Sequence, residues 1–187
     1  MTLFEYLAIA FSLLFSFSAM RLVGGLPHAV QSQRRYWVHL SLVCFQLLTT
    51  VIIFWLFWSF RTVAWNFPIF LLVLASPCLI YFNACTLIPE NPSAVVSWHD
   101  YYYSIRRRFF IGVCCWVLAV ATISTIVLKL PLLHTGRAAQ AALLAGGVVG
   151  AASTNERVHS ALVLFFGLLS LLLVATLAFR PGSFAPP

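Results

Sequence analysis

The sequence is poor in charge, and acidic residues are the scarcest. It holds 4 Asp and Glu and 11 Lys and Arg in 187 residues, and 8% of its residues are charged while 62% are hydrophobic. An ordinary soluble domain carries about a quarter charged residues. A water-soluble fold of this length would expose far more surface than so few charged side chains cover. The composition therefore excludes a soluble globular domain and indicates a protein whose solvent is lipid.

Catalytic motifs are missing as well. The sequence has no paired aspartates, no zinc-binding helix with two histidines and a glutamate, no Gly-x-Ser-x-Gly elbow and no phosphate-binding loop. The four acidic residues are Glu5, Glu90, Asp100 and Glu156. None of them falls in the middle of an apolar run. We therefore assign no catalytic residue and expect neither enzymatic activity nor a cofactor.

The cysteines and the net positive charge also indicate a membrane protein. All five cysteines lie within apolar runs, where they behave as small apolar side chains, so neither disulfides nor a zinc site is expected. The net charge of +7 is carried by arginines at the ends of those runs. We interpret it as attraction to anionic lipid headgroups and not as binding of nucleic acid.

Long apolar runs separated by short polar clusters fill the chain. A helix needs ~20 mainly apolar residues to cross the hydrocarbon layer. Runs of this kind lie at residues 3–23, 36–60, 66–89, 109–128 and 158–179. A shorter run, rich in Ala and Gly, lies at residues 138–153. The sequence predicts an all-α integral membrane protein, a single domain over residues 1–187 with about six transmembrane helices, or five if residues 138–153 do not cross.

The short run has small side chains at every fourth position, at Ala138, Ala142, Gly146 and Gly150. Lipid gives helices no hydrophobic drive to associate, so close backbone approach through small residues is a principal source of packing energy in membranes. This face is therefore predicted to pack against a neighbouring helix, in the same chain or in a homo-oligomer, which favours a crossing.

The basic residues predict the orientation, because loops rich in Lys and Arg stay on the cytoplasmic side. With six spans, seven basic residues share one side, namely Arg21, Arg34, Arg35, Arg106, Arg107, Arg108 and Arg157. The other four are Arg61, Lys129, Arg137 and Arg180. The larger group is predicted to be cytoplasmic, which places the amino terminus outside.

Residues 93–108 are predicted to form an amphipathic helix in the cytoplasmic interface. Ser93 is the expected cap after two prolines, and Trp98 and Tyr102 lie on the apolar side of the pattern. Arg106, Arg107 and Arg108 would then lie at the level of anionic headgroups. The helix is interpreted as an orientation signal and lipid anchor, or alternatively as a docking surface.

Polar residues within spans are the usual indicators of function in a membrane protein, because their burial in hydrocarbon is costly. Two apolar runs carry a polar face each, formed by His39, Gln46 and Thr50 in one and by Ser76, Asn83 and Glu90 in the other. If the two faces meet, they form a polar seam from mid-membrane to the cytoplasmic side. Such a seam is either a set of interhelical hydrogen bonds or a path for a solute or a proton.

Histidines allow one further hypothesis. His39 and His159 come from different spans and fall near the same side of the membrane, so they are candidate axial ligands of a haem or members of a metal site. No ligand-spacing motif accompanies them.

Three segments carry a family resemblance: Arg34-Arg35-Tyr36-Trp37, Trp65-Asn66-Phe67-Pro68, and residues 101–110. They resemble small, uncharacterised bacterial polytopic membrane proteins of similar length. The resemblance implies a multi-pass protein of the bacterial inner membrane and implies no activity.

Three function classes remain open at this stage. The first is a channel- or transporter-like bundle, and the second is an accessory or assembly subunit of a larger membrane complex. The third, a membrane enzyme or haem protein, has the least support, because the sequence offers no motif for it.

Overall fold

The structure is a computed structural model, and it describes residues 3–31, 35–131 and 135–177. These ranges contain six α-helices and no strand. The helices are α1 (Leu3–Val30), α2 (Trp37–Leu56), α3 (Phe67–Leu87), α4 (Trp98–Ile126), α5 (Thr135–Ala152) and α6 (Glu156–Leu177). Short 3₁₀ turns follow α2 at Phe57–Phe60 and α3 at Pro92–Ala94.

Within the described ranges, five helical segments are long and apolar enough to cross a membrane. They are Leu3–Val30, Trp37–Phe60, Phe67–Ala94, Trp98–Ile126 and Glu156–Thr176. The predicted class, a helical membrane bundle, is confirmed to this extent. Helix α5 is not among the five: its 18 residues are long enough, but Arg137, Gln140 and several glycines lower its mean hydropathy. The count of six spans therefore stays a prediction.

The helices form a closed ring. Following the packed pairs around the bundle gives the order α1, α3, α4, α5, α6 and α2, which returns to α1, and α2 also contacts α3 and α4. Because consecutive helices alternate in direction, one end of the bundle holds the starts of α2, α4 and α6, and it is called the His159 end. The other end holds the starts of α1, α3 and α5 and is called the Arg137 end.

Residues 93–108 are predicted to form a separate amphipathic helix, and in the structure they do not. The cap of α4 is Ser97, whose Oγ accepts a hydrogen bond from the backbone N–H of Asp100 at 3.3 Å, and not Ser93. From Trp98 the helix continues without interruption to Ile126, since no proline or glycine pair breaks it. Its 29 residues make it about 43 Å long, more than the ~30 Å of hydrocarbon.

Helix α5 runs antiparallel along the length of α4. At one end Arg137 donates to the hydroxyl oxygen of Ser124 at 2.9 Å, and at the other Arg106 donates to the carbonyl oxygen of Ala151 at 3.0 Å. Between these two contacts, glycines of α5 allow the helix to lie close to α4. A Cβ atom on Gly147 would lie 2.6 Å from the sulfur of Cys114.

The small residues at every fourth position of α5, here called the ladder, are Ala138, Ala142, Gly146 and Gly150. The ladder contacts two different helices. Gly146 lies against the ring of Phe166 on α6, and Gly150 lies against the ring of Phe110 on α4. Ala142 is half-buried and Ala138 is exposed, so the buried part of the ladder is its glycine half. The glycine closest to a neighbouring backbone, Gly147, lies outside the four-residue repeat.

Candidate functional site

The ring of helices encloses a cavity of about 220 Å³. Most of its wall is apolar, but each helix except α1 also contributes at least one polar side chain or an indole to it. Representative wall residues from α1 to α6 are Phe11, Gln46, Ser76, Trp116, Gln140 and Ser170. The cavity therefore depends on all six helices, although α5 is the shortest of them.

Arg137 lies in the wall of the cavity at the start of α5, half-buried. Its guanidinium donates five hydrogen bonds, of 2.7 to 3.4 Å, to oxygen atoms near the end of α4 and on α5. The acceptors are the backbone carbonyls of Ala121 and Leu130, the hydroxyls of Ser124 and Thr125, and the amide oxygen of Gln140. All five acceptors are neutral, so these bonds orient the guanidinium without neutralising its charge.

The end of α4 has the sequence that such a network needs. Ser124 and Thr125 direct their hydroxyl hydrogens back to the carbonyl of Ala121, at 3.0 and 2.8 Å. Their oxygen lone pairs then remain available to accept from Arg137. The Nε atom of Arg137 is buried and has no acceptor within the described part of the chain.

Deeper in the cavity the polar groups are neutral. The indole N–H of Trp116 donates to the hydroxyl of Ser76 at 3.2 Å, which ties α4 to α3. On α2, Thr50 donates to the backbone carbonyl of Gln46 at 2.8 Å, and the Gln46 side chain is buried in the wall. Pro77 has no N–H to donate to the preceding turn of α3, and it also lines the cavity.

The His159 end is closed by a cluster of four buried side chains, called the His159 cluster: His39, Trp98, Tyr102 and His159. None of the four is more than 1% exposed. The rings of His39 and Trp98 stack with their centres 4.7 Å apart, and the hydroxyl of Tyr102 lies 2.6 Å from Nδ1 of His159. The cluster joins α2, α4 and α6.

The hydrogen bonds of the cluster determine which histidine nitrogens carry protons. Nε2 of His159 faces the carbonyl oxygen of Ser153 at 3.0 Å, so it donates, and Nδ1 must accept from the Tyr102 hydroxyl when the ring is neutral. Nε2 of His39 donates in the same way to the carbonyl of Leu87 at 3.0 Å. Nδ1 of His39 is buried and finds no partner within residues 3–31, 35–131 and 135–177.

This geometry does not support the haem hypothesis. Both ring nitrogens of His159 are engaged in hydrogen bonds, so neither offers a free lone pair to iron. The ring of Tyr102 lies beside both histidines, 6.4 Å from His39 and 5.3 Å from His159 between ring centres. Within the described ranges, no group of three or more His, Cys, Asp or Glu side chains is placed to hold a metal ion.

The six residues of the predicted polar seam lie in different surroundings. Gln46 and Ser76 line the cavity, whereas the side chain of Asn83 lies against Gly112 of α4. Glu90 follows the end of α3 and is exposed. His39 belongs to the His159 cluster, and Thr50 is bonded within its own helix. The six residues thus form no single polar path.

The three consecutive arginines of α4 also differ from one another. Arg106 is half-buried and donates to Ala151, in the last turn of α5, where terminal carbonyls lack helical partners. The guanidinium of Arg108 lies 5.0 Å from the ring centre of Phe82, and Arg107 is exposed. Arg106 is therefore committed to a contact between helices, and the other two remain candidates for lipid headgroups.

Comparison with protein-family models, with curated proteins and with solved structures gives no match for this chain.

Sequence reasoning missed the two residues that define the ends of the site. Arg137 was counted only as a basic residue flanking a span, and Tyr102 only as part of an apolar face. One signal was available for each: Arg137 and Gln140 form the only polar stripe of an otherwise Ala- and Gly-rich run, and Tyr102 is the central residue of three successive tyrosines.

Proposed function

We propose that this protein is a transporter-like membrane bundle that carries a small solute in its central cavity. The observation that carries the proposal is that all six helices of the ring line this one cavity. A site built between the helices of a bundle is a common place for a ligand in helical proteins. A change in the packing of any helix in the ring would also change the shape of the cavity. A carrier needs such a link between helix packing and its binding site.

The closed His159 end favours a carrier over an open channel. The side chains of His39, Trp98, Tyr102 and His159 are between 0 and 1% exposed, so this end is filled. Residues at the other end, including Leu130, Gly136 and Arg137, belong to the cavity wall. A cavity that is closed toward one end of the bundle is the arrangement expected when access alternates between two sides.

The proposal includes six spans with α5 crossing beside α4, the amino terminus outside, and the His159 end facing the cytoplasm of a bacterial inner membrane. Seven of the 11 basic residues fall at that end when all six helices cross. Arg107 and Arg108 are then expected to contact anionic headgroups. The antiparallel course of α5 along α4 supports the sixth crossing.

Flux into reconstituted liposomes tests the proposal. Vesicles with the purified protein are mixed with small neutral solutes and with sodium salts of small organic anions, and swelling is followed by light scattering. At least one solute should enter faster than into protein-free vesicles. Val120→Trp, which fills the cavity, should return its entry to the protein-free rate, whereas Leu168→Trp adds the same side chain on a surface that is 60% exposed and should leave entry unchanged.

Solute entry no faster than in protein-free vesicles, or equal entry with both tryptophan variants, would contradict the carrier proposal.

A second candidate is an accessory subunit of a larger membrane complex, or a homo-oligomer. In the most apolar stretch of α6 only 17% of the residues are buried, against 50% in α3. The exposed face includes Leu164, Leu168, Leu171 and Leu172, which lipid or a partner helix would cover. Native mass spectrometry after extraction in mild detergent separates the cases, because a chain recovered alone removes this candidate.

A further inference from the structure

The wall of the cavity combines one cation with a large apolar surface, and this combination limits what can bind. Arg137 is half-buried, and each of its five hydrogen bonds ends on a neutral oxygen. A partly buried charge is costly unless an opposite charge compensates it. Three of the four acids of the sequence, Glu90, Asp100 and Glu156, lie at the His159 end, and the fourth, Glu5, lies in the first turn of α1, which is not next to α5 in the ring.

Near Arg137 the wall offers a charge and one N–H donor. The five hydrogen bonds of the guanidinium leave its charge without an anionic partner, and its Nε–H is buried without an acceptor in the described part of the protein. The side-chain N–H of Gln140, which also lines the cavity, makes only a long bond of 3.5 Å to the hydroxyl of Ser124. The charge of Arg137 and the Gln140 amide are therefore suited to one small anionic group.

Beyond these donors the wall is made of rings and branched apolar side chains. Phe11, Phe15, Val113, Trp116 and Leu143 line this part of the cavity. Burial of a hydrocarbon chain here would be favourable by about 0.8 kcal/mol per CH₂ group. The site therefore has a cationic part and an apolar part within one cavity of about 220 Å³.

We infer that the cavity binds an amphiphile with a single anionic head and one apolar chain, with the head at Arg137 and Gln140 and the chain directed toward Trp116. The inference rests on the proposed carrier function and names its substrate class. An uncharged solute would leave the charge of Arg137 uncompensated, and a cation would be repelled by it. A charged head enters hydrocarbon only at high cost.

Binding of dodecanoate to the purified protein tests the inference. The protein is held in nanodiscs of phosphatidylcholine, which has no net charge, and bound ligand is measured by native mass spectrometry. Dodecanol and dodecyltrimethylammonium serve as matched neutral and cationic probes. Dodecanoate should bind at least about tenfold more tightly than either, as one hydrogen-bonded charge pair predicts.

Variants assign this preference to Arg137. Arg137→Gln should abolish the difference between dodecanoate and dodecanol, and Arg137→Lys should keep part of it. Arg61→Gln is the control, because Arg61 is exposed at the same end, with its guanidinium 5.4 Å from the ring centre of Trp58. If Arg137→Gln does not fold, the comparison of the three probes on the unmodified protein still decides.

The outcomes separate the inference from the proposed function. Equal binding of all three probes, blocked by Val120→Trp, would overturn the anionic substrate and leave the carrier cavity standing. Failure of dodecanoate to bind would also overturn the inference, and the flux assay would then decide the carrier proposal by itself. Lysophosphatidylglycerol, which has one acyl chain, is added as a competitor to identify the source of the anion, because displacement of dodecanoate indicates a lipid headgroup and its absence a free acid. Both results support the inference.

Discussion

At the residue scale, the pair Tyr102 and His159 shows how a buried polar group is accommodated in this bundle. The Tyr102 hydroxyl is 2.6 Å from Nδ1 of His159, and Nε2 of the same ring is 3.0 Å from the carbonyl of Ser153. Both polar atoms of the imidazole are thereby satisfied, although the side chain is 0% exposed. The pair connects α4 to α6, as do the ring contacts of Phe110 with His159 and Phe166.

Removal of the Tyr102 hydroxyl should therefore weaken the bundle. Tyr102→Phe leaves Nδ1 of His159 buried without a donor, at a cost of about 1–3 kcal/mol in the free energy of unfolding. The measurement is unfolding of the purified protein in mixed micelles of mild and denaturing detergent.

The neighbouring tyrosine provides the control. Tyr103→Phe makes the same change one residue along α4, where the hydroxyl is only half-buried and lies 3.4 Å from that of Tyr36. Its effect should stay within about 0.5 kcal/mol, as for most surface substitutions. Equal losses for the two variants would show that the contact to His159 has no special role.

At the scale of elements, the contact between α4 and α5 depends on the absence of side chains. Cβ atoms on Gly147 and Gly150 would come within 2.6 Å of Cys114 and 2.7 Å of Phe110. The two helices therefore approach more closely than ordinary side chains allow, which is how helices gain packing energy in lipid. The position of Arg137 depends on this contact, because its acceptors lie on both helices.

Gly147→Ala should destabilise the protein by about 1–3 kcal/mol, the usual cost of adding atoms to a packed interface. Adding Cys114→Ala removes the sulfur atom that the new methyl group would meet and should restore part of the loss. Gly24→Ala is the control, because a Cβ atom there meets nothing within 4 Å. The same detergent unfolding assay is applied to the unmodified protein, both single variants, the double variant and the control, and strictly additive effects of the two substitutions would contradict the proposed contact.

At the scale of the whole molecule, the cavity requires that α5 belong to the ring. The sequence made this the doubtful span, because residues 138–153 are short and rich in Ala and Gly. In the structure α5 packs on α4 and α6 and closes the ring between them. The question of whether α5 crosses the membrane is therefore also the question of whether the cavity is enclosed within the bilayer.

Labelling of single cysteines measures this topology. In a background with all five native cysteines replaced by alanine, Lys129→Cys and Thr154→Cys place one exposed thiol before and one after α5. A membrane-impermeant maleimide added to intact cells should label position 129 and should reach position 154 only after permeabilisation. Labelling of both positions from the same side would remove the crossing of α5 and the six-span arrangement with it.

Local features of the sequence are enough to predict the class of the protein and most of its helices, because the length and apolarity of a run are local properties. The predicted runs at residues 66–89 and 158–179 lie within two residues of helices α3 and α6. Ser97 as the cap of α4 could have been recognised too, since Ser93 and Ser97 were equally suitable by residue type.

Which helices are neighbours follows from the packing of the whole bundle, and the site depends on that packing. A run shows which residues share a face, but not which helix the face meets. Asn83 and Ser76 lie on one face of α3, yet the first contacts Gly112 and the second lines the cavity. Arg137 is a site residue only because α5 lies beside the last turn of α4. One of its acceptors there, the carbonyl of Ala121, lies 16 positions earlier in the chain.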